Sequence, residues 1–173
     1  GMLEAIAFLS DGSAWFHPVR VEICRKTGTR GGVRYQRYAF NYGGPLRKDK
    51  NIKDGTGMQV FATVLSDVCF RIHADVLGEQ PRGGRNPAHY LKDLFDRRLR
   101  QGRCFRTPCL GWSEFTCDYW GSFRESSEVD EGIEDLLIPS MVDAVWDRPV
   151  DGGYVSRFAQ DVRVRRGVMT FAQ

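Results

Sequence analysis

The stretch NPAHYLKDLFDRRLRQG, residues 86–102, decides how this chain folds, because it carries the signals of a helix from start to end. Asn86 can accept hydrogen bonds from the free amides of a first turn, and Pro87 suits the first helical position. One apolar stripe follows at helical spacing, formed by Leu91, Leu94, Phe95 and Leu99. Gly102 suits the left-handed residue that ends many helices. The sequence therefore predicts a helix from Asn86 to Gly102.

Alternating apolar residues predict strands on both sides of this helix. Before it, strands are expected at residues 14–24, in VRYQRYAFNY at 33–42, and in the hydrophobic segment 58–77. After it, they are expected around residues 110–120 and 136–146, followed by a hairpin or a helix–strand pair that ends near Phe171. A first helix is expected at the start of the chain, where Leu3 and Ile6 fall at helical spacing and Asp11-Gly12 stops it.

The order helix, strand, strand, strand, helix, strand is that of a ferredoxin-like β-α-β-β-α-β unit from which the first strand is missing. We therefore predict an α+β fold with two parts. Residues 1–120 form a ferredoxin-like (RRM-like) core that is N-terminally incomplete, and residues 121–173 form a small C-terminal β-rich extension.

Composition limits the classes of protein to which the chain can belong. With 173 residues, 42% of them hydrophobic and 27% charged, it is expected to be an ordinary globular protein of the cytoplasm, without a membrane segment. The five cysteines are odd in number and are expected to be reduced thiols. A metal site built from Cys104, Cys109, Cys117 and His89 is the alternative, but its spacing matches no common closed site. Neither a metal nor a cofactor is predicted.

Charge is segregated along the chain. Residues 20–50 hold nine basic residues and two acids, and residues 82–106 hold eight basic residues. Residues 125–151 hold nine acids and a single base, Arg148. This asymmetry indicates one face for a polyanion and another face for a different partner, although a solvated surface without any partner gives the same pattern.

Aromatic and basic residues interleave in VRYQRYAFNY, as expected for a platform that binds single-stranded RNA by stacking and phosphate contacts. The candidate RNA-binding residues there are Arg34, Arg37, Tyr38 and Tyr42. The alternative is an ordinary edge strand, because Tyr and Phe favour strands in any case. On the long helix, Arg97 and Arg100 each follow an acid by four residues, whereas Arg98, Arg103 and Arg106 have no such partner and are further phosphate candidates.

The start of the helix offers the groups that metal-free RNA cleavage requires, namely a base, an acid and a cation. His89, Tyr90 and Lys92 are the candidate catalytic residues. Against this, residues that follow one another on a helix cannot all face one atom, and a single histidine is more often a surface or packing residue.

Three segments carry a family resemblance: GMLEAIAF at 1–8, MQVFATVLSDVCFRIHADV at 58–76 and RNPAHYLKDLFDRRLRQGRCFRTPCLGWSEF at 85–115. They resemble three segments of the CRISPR-associated Cas five family. In order, these are its Gly-x-Leu-Glu-x-Ile helix, its following core strand, and its long helix with a Gly-x-Cys-Phe turn and a Pro-x-Leu-Gly-x-x-Glu-Phe strand. The I-C subtype is the most similar. The resemblance covers residues 1–115 with gaps and fades from Cys117 onward.

Membership would imply a RAMP-type core that binds the 5′ handle of crRNA, or the repeat of pre-crRNA, inside a Cascade complex with backbone and large subunits. In I-C members the subunit can also cut pre-crRNA without metal, using an aromatic or His residue after the Glu helix and a Lys-His pair at the start of the long helix. Here Ala7 stands at the first position and His89-Tyr90 at the pair. The family's Arg-Arg-Asn-Glu-like motif also has no clean match.

Three functions therefore stay open: a handle-binding subunit that cleaves the repeat, a non-catalytic RNA-binding or assembly module, and an interaction protein that docks a basic partner through residues 125–151.

Overall fold

The computed structural model describes residues 1–25, 34–41, 59–80, 84, 86–111, 115–144, 149–150 and 153–171. Its helices are α1 (Met2–Ile6) and α2 (Pro87–Arg100). Its strands are β1 (Ala14–Arg25), β2 (Arg34–Asn41), β3 (Gln59–Ser66), β4 (Phe70–Gly78), β5 (Glu128–Val129), β6 (Asp135–Ala144), β7 (Pro149–Val150), β8 (Gly153–Tyr154), β9 (Arg157–Arg165) and β10 (Val168–Thr170). The fold is mixed α+β.

The main sheet has the strand order β4-β1-β10-β9-β6, and the short β5 also pairs with β1. Every pairing described in this sheet is antiparallel. Two separate ribbons, β2–β3 and β7–β8, complete the described strands. The C-terminal strands β9 and β10 thus extend the sheet that β1 and β4 begin.

The β1–β4 pair has two faces of different character, because side chains alternate across a strand. Phe16 lies opposite Val76, and both belong to the apolar face that packs on α2. Arg20 lies opposite His73 and Glu22 opposite Arg71, so the other face is polar. A bulge between Pro18 and Arg20 interrupts the register. We call this second surface the polar face.

Helix α2 covers the apolar face and ends as its sequence predicts. The Asn86 side chain accepts hydrogen bonds from the amides of Ala88 at 3.0 Å and His89 at 3.5 Å. Gly102 adopts a positive φ of 63°, the conformation that favours glycine after a helix. The helix then buries its stripe: Leu91 is fully inaccessible and packs with Ala7 and Ala14. The predicted helix at Asn86–Gly102 is confirmed.

Three of the local predictions need correction. Segment 58–77 contains two strands, β3 and β4, separated by a turn in which Asp67 has a positive φ of 54°. Helix α1 ends at Ile6, because Ala7 is extended with φ −147°. Around 110–120 the described residues form only an isolated bridge between Cys109 and Thr116.

Within the described residues, no helix has the length and apolar character that a membrane span requires.

Candidate nucleic-acid interface

The β2–β3 hairpin exposes an aromatic and basic surface on one side. Strand alternation places Tyr35, Arg37 and Ala39 on this side, opposite Leu65, Thr63 and Phe61. Tyr35 is 63% exposed and Phe61 75% exposed, and Arg37 lies between them along the ribbon. We call this surface, formed by Tyr35, Arg37, Phe61 and Leu65, the hairpin face. Large exposed rings next to a guanidinium can stack on bases and bind phosphate.

The other predicted residues of this segment point to the opposite side of the hairpin. The ring of Tyr38 packs edge-on to Phe115, with 5.7 Å between centroids. Arg34 Nη1 lies 3.7 Å from Asp67 Oδ2, in an exposed ion pair. The structure therefore separates Arg37 from Arg34 and Tyr38, while Tyr42 lies outside the described residues.

A second aromatic and basic surface forms where the start of the chain meets the segment after α2. The amides of Phe105 and Arg106 both donate to the carbonyl oxygen of Ala5, at 2.9 and 3.0 Å. This contact brings the Phe105 ring to that of Phe8, with 4.6 Å between centroids and an interplanar angle of 75°. Phe105 is 61% exposed, and the exposed Arg103 and Arg106 flank it in the chain. We call Phe8, Arg103, Phe105 and Arg106 the Phe8–Phe105 patch.

The three predicted arginines around the end of α2 divide into two kinds. Arg98 Nη1 donates to the carbonyl oxygen of Ile6 at 2.8 Å, so this half-buried side chain joins α2 to the end of α1. Arg103 and Arg106 are exposed. Arg98 therefore stabilises the contact between the two helices, whereas Arg103 and Arg106 are accessible for binding phosphate.

The predicted catalytic residues lie on one exposed turn of α2. His89 and Lys92 are three residues apart and share a helix face, but Tyr90 lies about 100° further round the helix. Lys92 Nζ lies 2.9 Å from Asp96 Oδ2, and this hydrogen bond raises the pKa of Lys92. The structure therefore places His89 and Lys92 on one face and Tyr90 on another, and Lys92 is already paired with Asp96.

A charged cluster on the polar face was not predicted as a site. Glu22 is only 8% exposed, and its Oε1 lies 3.1 Å from both His73 Nε2 and Arg20 Nη2. Arg71 Nη1 lies 3.7 Å from Glu22 Oε2, and Arg71 Nη2 donates to the carbonyl oxygens of Arg124 and Ser127. We call Arg20, Glu22, Arg71 and His73 the Glu22 cluster. It compensates one buried carboxylate with three cationic or polar partners.

Part of the acidic segment forms ion pairs within the chain. Three of its acids form ion pairs with basic residues of β1 and β9, namely Glu128 with Arg25, Asp135 with Arg163 and Asp143 with Arg157. Asp130 is buried, and its Oδ1 accepts from the amide of Gly132. The charge asymmetry of the sequence is thus smaller on the folded surface than along the chain.

The cysteines are free thiols. In the part of the chain that the structure describes, which includes Cys104, Cys109, Cys117 and His89, no three His, Cys, Asp or Glu side chains group in a way that could hold a metal ion. Burial raises the pKa of the Cys24 thiol to about 11 and also raises the pKa of Cys117. Cys24 is therefore protonated near neutral pH.

Four exposed aromatic residues of these surfaces were not among the predicted site residues: Phe8, Tyr35, Phe61 and Phe105. Alternation along β2 places Tyr35 beside Arg37, so this residue could have been predicted from the sequence. The pairing of Phe8 with Phe105 could not, since it depends on the backbone contact between Ala5 and the segment after α2.

The chain is thus an α+β protein that exposes aromatic and basic patches. No protein-family model matches the sequence, and no curated protein matches it.

Proposed function

We propose that this chain is an RNA-binding subunit of a CRISPR surveillance complex, similar to the Cas five family, and that it binds the 5′ handle of crRNA in the cytoplasm. The proposal includes a ferredoxin-like RAMP core and contacts with the backbone and large subunits of Cascade. Its support comes from the residues that resemble the family and from the surfaces on which those residues lie.

The Phe8–Phe105 patch is the observation that carries the proposal. Two of the three family-like segments, 1–8 and 85–115, meet there, and they meet as exposed rings with exposed arginines beside them. Rings of this kind stack on unpaired bases, and arginines neutralise the adjoining phosphates. Such a patch suits a single-stranded RNA end better than a duplex, because duplex bases are already stacked.

The arrangement of β1, β4 and α2 supports the proposed core. In a ferredoxin-like unit the second and third strands pair antiparallel and the second helix packs across them, as α2 does here on β1 and β4. In the described residues the outer edge of β4 has no neighbouring strand, and this is the position that the first strand of such a unit takes. The β2–β3 hairpin is then an insertion between the second and third strands.

A second candidate function is metal-independent cleavage of the repeat at the start of α2. His89 and Lys92 favour it, because they share an exposed face there. The ion pair between Lys92 and Asp96 weakens it, since a paired cation has less charge to offer a phosphate. Binding is therefore the better supported function.

Labelled repeat RNA incubated with the full chain in EDTA separates the two candidates. Tight, salt-sensitive binding without a cut supports the binding subunit alone. A cut that His89→Ala abolishes supports the cleaving subunit, whereas a cut that His89→Ala leaves unchanged removes His89 from the site. Absence of RNA binding contradicts both.

A further inference from the structure

The polar face of β1 and β4 is open next to the Glu22 cluster. An open cavity of about 600 Å³ lies there, and its lining includes Arg20, His73, Asp75 and Thr170. At one end, Phe123 closes the face by packing on His73, with 5.1 Å between ring centroids. At the other end Trp15, which alternates onto this face beside Leu77, is 45% exposed.

The register sets these side chains in successive rows across the two strands. Trp15 and Leu77 form one row, His17 and Asp75 the next, and Arg20 and His73 the third. Rows two residues apart in a strand are separated by about 7 Å. On the far side of Arg20, Thr170 of β10 lies directly opposite it. Along the face, the ring of Trp15 is therefore followed by the carboxylate of Asp75 and then by the guanidinium of Arg20, with the hydroxyl of Thr170 beside it.

The Glu22 cluster fixes the cation in place. The Glu22 carboxylate is buried, and Arg20 Nη2 is held by it at 3.1 Å and by the His73 ring nitrogens at 3.3 and 3.4 Å. Arg20 nevertheless keeps 45% of its side chain exposed. Its guanidinium carries more donors than these contacts use, so it can bind an anion from the cavity without leaving its partners.

Asp75 is the side chain that identifies the ligand. A carboxylate near an arginine weakens a site for a bare phosphate, because it repels the anion. The same carboxylate is a good acceptor for a sugar hydroxyl, and a 2′-hydroxyl is what distinguishes RNA from DNA. Asp75 lies one row from Arg20, and Trp15 lies one row beyond Asp75. A cation for a phosphate, an acceptor for a sugar hydroxyl and a ring for a base, in that order, suit a ribonucleotide.

We propose that the polar face is a ribonucleotide-binding site at which this chain distinguishes RNA from DNA. Arg20 and the Thr170 hydroxyl bind a phosphate, Asp75 accepts the hydrogen bond of the 2′-hydroxyl, and Trp15 stacks on a base. The site rests on the proposed RNA-binding function and adds to it a specificity for the sugar. It is separate in sequence from the hairpin face and from the Phe8–Phe105 patch.

The test compares a short single-stranded RNA with DNA of the same sequence, both labelled, in equilibrium binding to the full chain. The wild type is expected to prefer RNA, and Asp75→Ala is expected to lower RNA affinity about tenfold, as for one hydrogen bond to a charged group, while DNA affinity stays the same or rises because a repelling charge is removed. Asp75→Asn, which keeps an acceptor oxygen, should retain part of the preference. Arg20→Ala should weaken both ligands, and Glu131→Ala serves as an exposed acidic control.

Each other outcome overturns the inference in a distinct way. If Asp75→Ala and Asp75→Asn both raise RNA and DNA affinity equally, Asp75 acts only as a repelling charge and the site is wrong. If the wild type binds RNA and DNA equally, the sugar specificity is wrong while the proposed RNA-binding function stands. If the wild type binds no RNA, the proposed function itself fails.

Discussion

The Phe105 ring meets the Phe8 ring edge to face, with 4.6 Å between their centroids, although the two residues belong to opposite ends of the family-like region. Phe105 is 61% exposed and Phe8 37% exposed, so each ring keeps part of its surface open to solvent. Neighbouring exposed rings with arginines beside them form a surface on which unpaired bases can stack. Under the proposed function, RNA is the partner that covers them.

Replacing Phe105 with Ala should therefore weaken binding of repeat RNA. Loss of one base-stacking ring costs about 1–3 kcal/mol, which corresponds to about 5- to 150-fold in Kd. Fluorescence anisotropy with labelled RNA measures this change. Phe158→Ala removes a similarly exposed ring from β9 and should leave Kd unchanged; equal losses in the two variants would show that the effect is not specific to the patch.

The arginines near the end of α2 should differ in how they affect the salt dependence of binding. Arg103→Ala and Arg106→Ala should each lower the slope of log K against log salt by about 0.7, the value for one phosphate of a single strand. Arg98→Ala should instead lower the unfolding midpoint, because its guanidinium donates to the Ile6 carbonyl at 2.8 Å. A smaller salt slope in the Arg98 variant with full stability would reverse these assignments.

Removing the cap of α2 should destabilise the chain without changing the RNA contacts. The Asn86 side chain accepts from two amides of the first turn, and Asn→Ala at such a position costs about 1 kcal/mol. Urea unfolding followed by circular dichroism measures the loss. Asn86→Asp keeps an acceptor oxygen and should retain most of the stability; if it unfolds as readily as Asn86→Ala, the cap does not stabilise the helix as described.

Alkaline pH should destabilise the chain partly through Cys24. Burial raises the pKa of this thiol from 9.0 to about 11, so the unfolded chain loses the proton first as the pH rises. The stabilisation is then complete below pH 9 and is lost as the pH approaches 11. Urea midpoints measured across this range should fall less steeply in Cys24→Ala than in the wild type. Parallel curves for the two proteins would contradict the burial of this thiol.

Local signals predicted helix α2 well, because its cap, apolar stripe and terminal glycine all lie within one continuous segment. The division of residues 58–77 into β3 and β4 was missed, since apolar residues run through the turn at Asp67 with little interruption. In the hairpin, the four candidates were grouped as one platform, although the alternation of a strand places Arg37 on the side opposite Arg34 and Tyr38. Only the structure shows which side of the ribbon contacts the rest of the chain, because that depends on the packing of Tyr38 on Phe115.

The Glu22 cluster shows what a sequence cannot supply. Arg20 and Glu22 alternate visibly in one predicted strand, but His73 and Arg71 reach them only through the register of β1 with β4. A bulge between Pro18 and Arg20 sets that register; a proline inside a strand is compatible with a bulge, but it does not give the register that results. The catalytic candidates at the start of α2, by contrast, were predicted from closeness in sequence, which on a helix does not make side chains converge.

Recognition of the crRNA 5′ handle is the central claim, and competition binding tests it most directly. The full chain is bound to labelled repeat RNA in EDTA and challenged with unlabelled 5′-handle RNA or with an unrelated hairpin of equal length. The proposed function predicts that handle RNA displaces the label at much lower concentration than the hairpin does. Equal displacement by the two RNAs would contradict it.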